Sequence, residues 1–123
     1  MAVPTVTFVV AVFFLGMGCY ALAAPAALVR PFGITLETAT SRSEVRAVYG
    51  GFGLAIAGVL AYAAVADGQV ATGIRLTVAV ALAGMAIGRV ASAAFGERTT
   101  LYPNWFYCVV EVVVASALLA ISV

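Results

Sequence analysis

The chain reads as an all-α integral membrane protein, an up-down four-helix transmembrane bundle, and three observations predict it. Of its 123 residues 65% are hydrophobic and only 9% charged, where a soluble domain carries about a quarter charged residues. Mean hydropathy is +1.18. The apolar residues gather into four runs, each close to the roughly 20 residues a helix needs to cross a hydrocarbon core of about 30 Å. Valine-rich stretches such as Val112-Val113-Val114 favour strand in water. In a bilayer a lone strand leaves its backbone groups unpaired, so every run is read as helix.

The first helix is expected over residues 6–29, closed by Arg30-Pro31 and Gly33. No Arg or Lys precedes this run, and it exceeds the roughly 7–15-residue core of a signal peptide, so it is read as a membrane span. The second is expected over 42–66, opened by Ser41-Arg42-Ser43-Glu44, a Ser-x-x-Glu capping box, and stopped by the Asp67-Gly68 turn. The third, over 71–95, ends at Gly96 in the left-handed stop position. The fourth, over 103–123, has Pro103 at its first helical position. Short connections make consecutive helices antiparallel neighbours within a single domain, residues 1–123. In the first connection Phe32, Ile34 and Leu36 alternate with polar positions, which suits a segment lying in the interface or folding back over the bundle. Gly16, Gly18, Gly50, Gly51, Gly53, Gly58 and the Gly84-x-x-x-Gly88 spacing suit close helix approach. Packing within one chain and packing between copies in a homo-oligomer would use them equally. Cys19 and Cys108 each lie in an apolar run and read as small packing residues.

The charged residues are six Arg, four Glu and one Asp, with no Lys and no His. Without His there is no His-ligated haem, no His metal site and no Ser-His triad. Without Lys there is no Schiff base. The chain has no basic patch for nucleic acid, so the expected partners are membrane lipids and a lipophilic small molecule.

Arg30, Glu37, Arg42, Glu44, Arg46, Arg89, Glu97, Arg98 and Glu111 belong to the end formed by the first and third loops, or to the helix halves nearest it. Asp67 and Arg75 belong to the other end. The positive-inside rule then places the first and third loops in the cytoplasm and both termini outside. Glu111 lies eight residues beyond Pro103 and Arg89 seven before Gly96, depths of about 12 and 10 Å. An isolated charge there costs about 2.5–3.5 kcal/mol on insertion scales, so an Arg89–Glu111 contact facing the bundle interior is expected.

Asn104, Tyr107, Cys108 and Glu111 fall on one face of the fourth helix, Arg89 and Ser92 on one face of the third. Arg42, Arg46, Tyr49 and Gly53 share a face at the start of the second. Together they suggest a pocket open to one leaflet, walled by Arg, Glu, Asn and Tyr. Plainer readings stand beside this one. Arg89–Glu111 would also serve as a structural tie between helices. Arg42 and Arg46 would serve as head-group anchors, and Tyr102, Trp105 and Phe106 as an interfacial aromatic belt.

The stretch Glu44-Val45-Arg46-Ala47-Val48-Tyr49-Gly50-Gly51 resembles the most recognisable segment of the DUF4345 family, short bacterial four-helix membrane proteins of uncharacterised function. Gly88-Arg89 and Glu111 are similar to that family's pattern, and the likeness spans nearly the whole chain. More loosely, the chain is similar to the DoxX-like group. The resemblance implies Glu44, Arg46, Tyr49, Arg89 and Glu111 as positions to test and supplies no reaction.

Three functions are expected to compete. The first is a membrane enzyme acting on a lipophilic substrate. Glu111 would be its general acid or base, Arg89 its oxyanion stabiliser, and Tyr107 and Asn104 would position the substrate. Glu44, Arg46, Tyr49, Ser92 and Arg42 are the ligand-binding candidates. Isomerisation, epoxide opening and cyclisation suit such a set and need no cofactor or metal. The second is a proton-coupled small-molecule transporter. Small multidrug exporters have about this length and four helices, but their essential carboxylate lies in the first helix, which here carries no charge. The third is a structural or assembly subunit of a membrane complex.

Overall fold

Helix ends are set by residues that withdraw or supply backbone partners, and in the computed structural model, which describes residues 2–123, those ends decide where the polar side chains meet. Helix α1 (Ala2–Ala23) stops earlier than residue 29. Pro25 lacks an N–H and crowds the preceding turn, so Ala24 leaves the helical region at φ −141°, ψ 66°. The chain restarts as α2 (Pro25–Val29) and finishes in a 3₁₀ turn over Arg30–Phe32, closed by Gly33 at φ +74°.

The second span begins earlier than residue 42. Its capping box is Thr38 with Ser41: the Ser41 N–H donates to Thr38 Oγ1 at 3.0 Å, and the Thr38 N–H donates to Ser41 Oγ at 3.2 Å. The expected Ser41-x-x-Glu44 box therefore lies inside helix α3 (Ala39–Val45). A π-helical turn, Arg46–Gly51, joins α3 to α4 (Phe52–Val65), making one span. Helix α5 (Gln69–Ala94) runs between Gly68 at φ +101° and Gly96 at φ +89°. The residue before a proline is pushed towards extended geometry, and Tyr102 is extended at φ −109°, ψ 134°. The last span, Leu101–Ser122, thus opens with an irregular turn before α6 (Phe106–Ser122), and Pro103 sits buried in that turn.

Helix α1 packs on α4, α5 on α6, and α4–α5 and α1–α6 contacts close the ring. Val10, Phe14, Leu60, Val78, Leu82 and Leu118 form the dry centre. The outward faces remain apolar, with Val9, Val12 and Phe13 exposed on α1 and Val112 and Val113 on α6, as a lipid-facing surface requires. All four spans are long and apolar enough to cross a membrane. The protein is a multi-pass, all-α membrane bundle.

The glycines divide into two groups. A Cβ on Gly18 would lie 2.9 Å from Leu54 Cγ, and one on Gly50 2.8 Å from Leu22 Cδ2, so α1 and the second span meet nearly backbone to backbone. Around Gly16, Gly58, Gly84 and Gly88 a Cβ would meet nothing within 4 Å. The Gly84-x-x-x-Gly88 pair is exposed and makes no close approach among the described residues.

Candidate functional site

Asn104, Cys108 and Glu111 are spaced four and three residues apart and so share a face of the last span. Cys108 and Glu111 are buried on it and Asn104 is half-buried. Helix α5 presents Arg89 to that face at the matching depth. The Arg89 Nε–H donates to Glu111 Oε1 at 2.9 Å and one Nη–H to Oε2 at 2.9 Å. The other Nη donates to Asn104 Oδ1 at 3.1 Å, and Asn104 Nδ2 donates to Thr99 Oγ1 at 2.9 Å. The expected contact thus forms as a two-pronged fork on a carboxylate, the strongest geometry available to this pair. Glu111 is 5% exposed, whereas the Arg89 side chain is 20% exposed.

An aromatic group covers the guanidinium. Phe32, carried back over the bundle by the 3₁₀ turn, places its ring 5.9 Å from Arg89 Cζ and 5.6 Å from the Tyr107 ring. Tyr107 packs edge-on to Phe106 at 5.1 Å and beside Tyr102 at 6.2 Å. Tyr102 and Phe106, expected only as an interfacial belt, therefore also wall this end. The Cys108 thiol points away to the Ala86 carbonyl at 3.9 Å.

The remaining expected residues do not join this cluster through hydrogen bonds. Arg46 Nε donates to the Leu22 carbonyl at 3.0 Å, one of the α1 carbonyls left open by the break at Pro25. Arg42 donates to the Leu36 carbonyl at 3.4 Å. Glu44 and Tyr49 are exposed on the second span, and Ser92 is half-buried. Ser92 gives its backbone carbonyl to the Glu97 N–H at 3.2 Å. Two apolar grooves on the outer surface lie elsewhere. One, of about 380 Å³, is lined by Phe8, Val12, Leu15 and Leu54; the other, of about 340 Å³, by Ile56, Val59, Val70 and Ile74.

Three features escape a reading by helical face. Phe32 is placed by the fold of its loop. Thr99 is positioned by the turn after Gly96. Arg75, sorted above with the charges of the opposite end, is buried at 6% exposure. The signal for Arg75 was present: it lies seven residues beyond Gly68, the same depth by count that marks Arg89 from Gly96.

No curated protein and no solved structure matches the chain. The family model described as "Domain of unknown function (DUF4345)" matches residues 4–122, a stretch that includes the segment at 44–51, Arg89 and Glu111. This four-helix protein, with the ion pair at one end of its bundle, belongs to the DUF4345 family.

Proposed function

We propose that the protein receives a lipophilic molecule from within the bilayer at the Arg89–Glu111 end and holds its polar head against the ion pair. The observation that carries this reading is the guanidinium itself. It forks onto Glu111 and reaches Asn104, using three of the five N–H groups an arginine owns. The side chain stays 20% exposed beneath Phe32. A tie between two helices needs no such opening. The two remaining N–H groups would donate to a carbonyl, epoxide or hydroxyl oxygen, while the Phe32, Tyr102, Phe106 and Tyr107 rings take the apolar body.

Chemistry at this head would be acid–base in kind. Glu111 would accept a proton, Arg89 would stabilise the developing oxyanion, and Tyr107 and Asn104 would hold the substrate in register. Isomerisation, epoxide opening and cyclisation are reactions of that type. By the excess of arginine at this end, Arg30, Arg42, Arg46 and Arg98, it faces the cytoplasm.

The test is native mass spectrometry of wild type and Arg89→Gln, which lacks the donors assigned to the polar head, each purified in nanodiscs of the host membrane's lipids and checked for intact helix content. A lipophilic adduct on the wild type that falls on the order of tenfold or more in the variant is expected, the scale of a lost charge-assisted hydrogen bond. Equal retention by both proteins, or bulk lipid alone on the wild type, overturns the reading. Proton-coupled solute flux in liposomes, lost in Glu111→Gln, would replace it with transport.

A further inference from the structure

We propose that Arg75 forms a second anion site, taking a phosphate group at the membrane end opposite the Arg89–Glu111 pair. Arg75 is 6% exposed and is held by three helices. Its Nε–H donates to Ser122 Oγ at 3.3 Å, one Nη to the Ala63 carbonyl at 3.1 Å, and the other Nη to Thr72 Oγ1 at 3.3 Å. Every one of these acceptors is neutral. Arg89–Glu111 is the one ion pair among the described residues, so neither Asp67, exposed in its turn, nor the carboxylate of Val123 beside Ser122 pairs with Arg75. Ala63 lies in the last turn of α4, whose helix end offers at most about half a negative charge. Among the described residues, a buried cation in a membrane span is thus left without a full counter-charge, and two of its five N–H groups have no partner.

Depth identifies the missing partner. The backbone of Arg75 is six residues inside α5, about 9 Å, but its side chain leans towards the helix N-terminus. The groups it touches lie near helix ends: Thr72 three residues from the start of α5, Ala63 two from the end of α4, Ser122 the last of α6. The guanidinium head therefore sits within about 5 Å of those ends, at the polar boundary of that leaflet. The guanidinium fork matches phosphate oxygens. Those oxygens come either from a lipid phosphodiester or from free phosphate.

Wild type and Arg75→Gln, both full-length and held in a phosphate-free maltoside detergent, are titrated separately with short-chain phosphatidylglycerol and with inorganic phosphate. The readouts are the guanidinium ¹⁵N resonances, assigned through Arg75→Lys, and adduct counts by native mass spectrometry. A saturable shift at Arg75 is expected, with one adduct per chain that weakens on the order of tenfold in Arg75→Gln. Saturation by the lipid alone identifies a head-group site, and saturation by inorganic phosphate a free-anion site. The proposal fails if neither titrant moves the Arg75 resonances, or if Arg75→Gln binds as wild type does. The wild-type titration decides the question even if Arg75→Gln does not fold.

Discussion

Arginine does three different jobs in this molecule, and its partner tells them apart. Arg89 meets a carboxylate, Arg46 and Arg42 meet backbone carbonyls, and Arg75 meets two hydroxyls and a carbonyl. Intramembrane polar contacts average only about 0.6 kcal/mol and reach about 1.7, because the unfolded chain in the membrane also finds partners. The two-pronged geometry of Arg89–Glu111 belongs at the upper end of that range. A double-mutant cycle with Arg89→Gln and Glu111→Gln, read by unfolding in bicelles, should give a coupling of about 1–2 kcal/mol. A coupling near zero would mean that the pair does not hold α5 to α6. The contact was legible because two depths, counted from Gly96 and from Pro103, agreed. Arg75 was not, because sorting it by the nearest loop hid a depth equal to that of Arg89.

At the scale of elements, close approach and helix breaks set the architecture. Gly18→Ala and Gly50→Ala each place a methyl under 3.0 Å from a leucine side chain of the facing segment. Each should lower stability by about 1–3 kcal/mol, the usual cost of overpacking, seen as an earlier thermal midpoint. Gly84→Ala and Gly88→Ala meet open space and should leave the midpoint of the single chain unchanged. A change in oligomer mass in those two variants would assign the exposed face to contacts between copies. The helix runs themselves were legible from apolar length. Their ends were less so, since the break at Ala24-Pro25 and the Thr38–Ser41 cap depend on local backbone choices that run length does not report. The π turn at Arg46–Gly51 matters in the same way. A wide turn acts like one inserted residue and rotates what precedes it by about 100°. Arg42 and Arg46 therefore do not keep α-helical phase with Gly53, and Arg46 turns instead to the open carbonyl of Leu22.

At the scale of the whole molecule, the arginine excess at one end predicts orientation. In a background lacking Cys19 and Cys108, Thr40→Cys and Glu97→Cys should react with an impermeant maleimide only after cells are opened, and Asp67→Cys in intact cells. The reverse pattern would invert the proposed sidedness. Between the two ends, fourteen residues of α5 separate Arg75 from Arg89, about 21 Å, and the inner face there is Val78, Ala79, Leu82 and Ala86. An apolar layer of that thickness would insulate one end from the other. A membrane voltage falls mainly across such a layer, where 100 mV is worth about 2.3 kcal/mol per charge carried through. The Arg89–Glu111 pair has no net charge for that field to pull, and Arg75 stands at the layer's edge. The neutral pair is thereby indifferent to the potential across the membrane, and Arg75, with its net charge, is the group that would feel it.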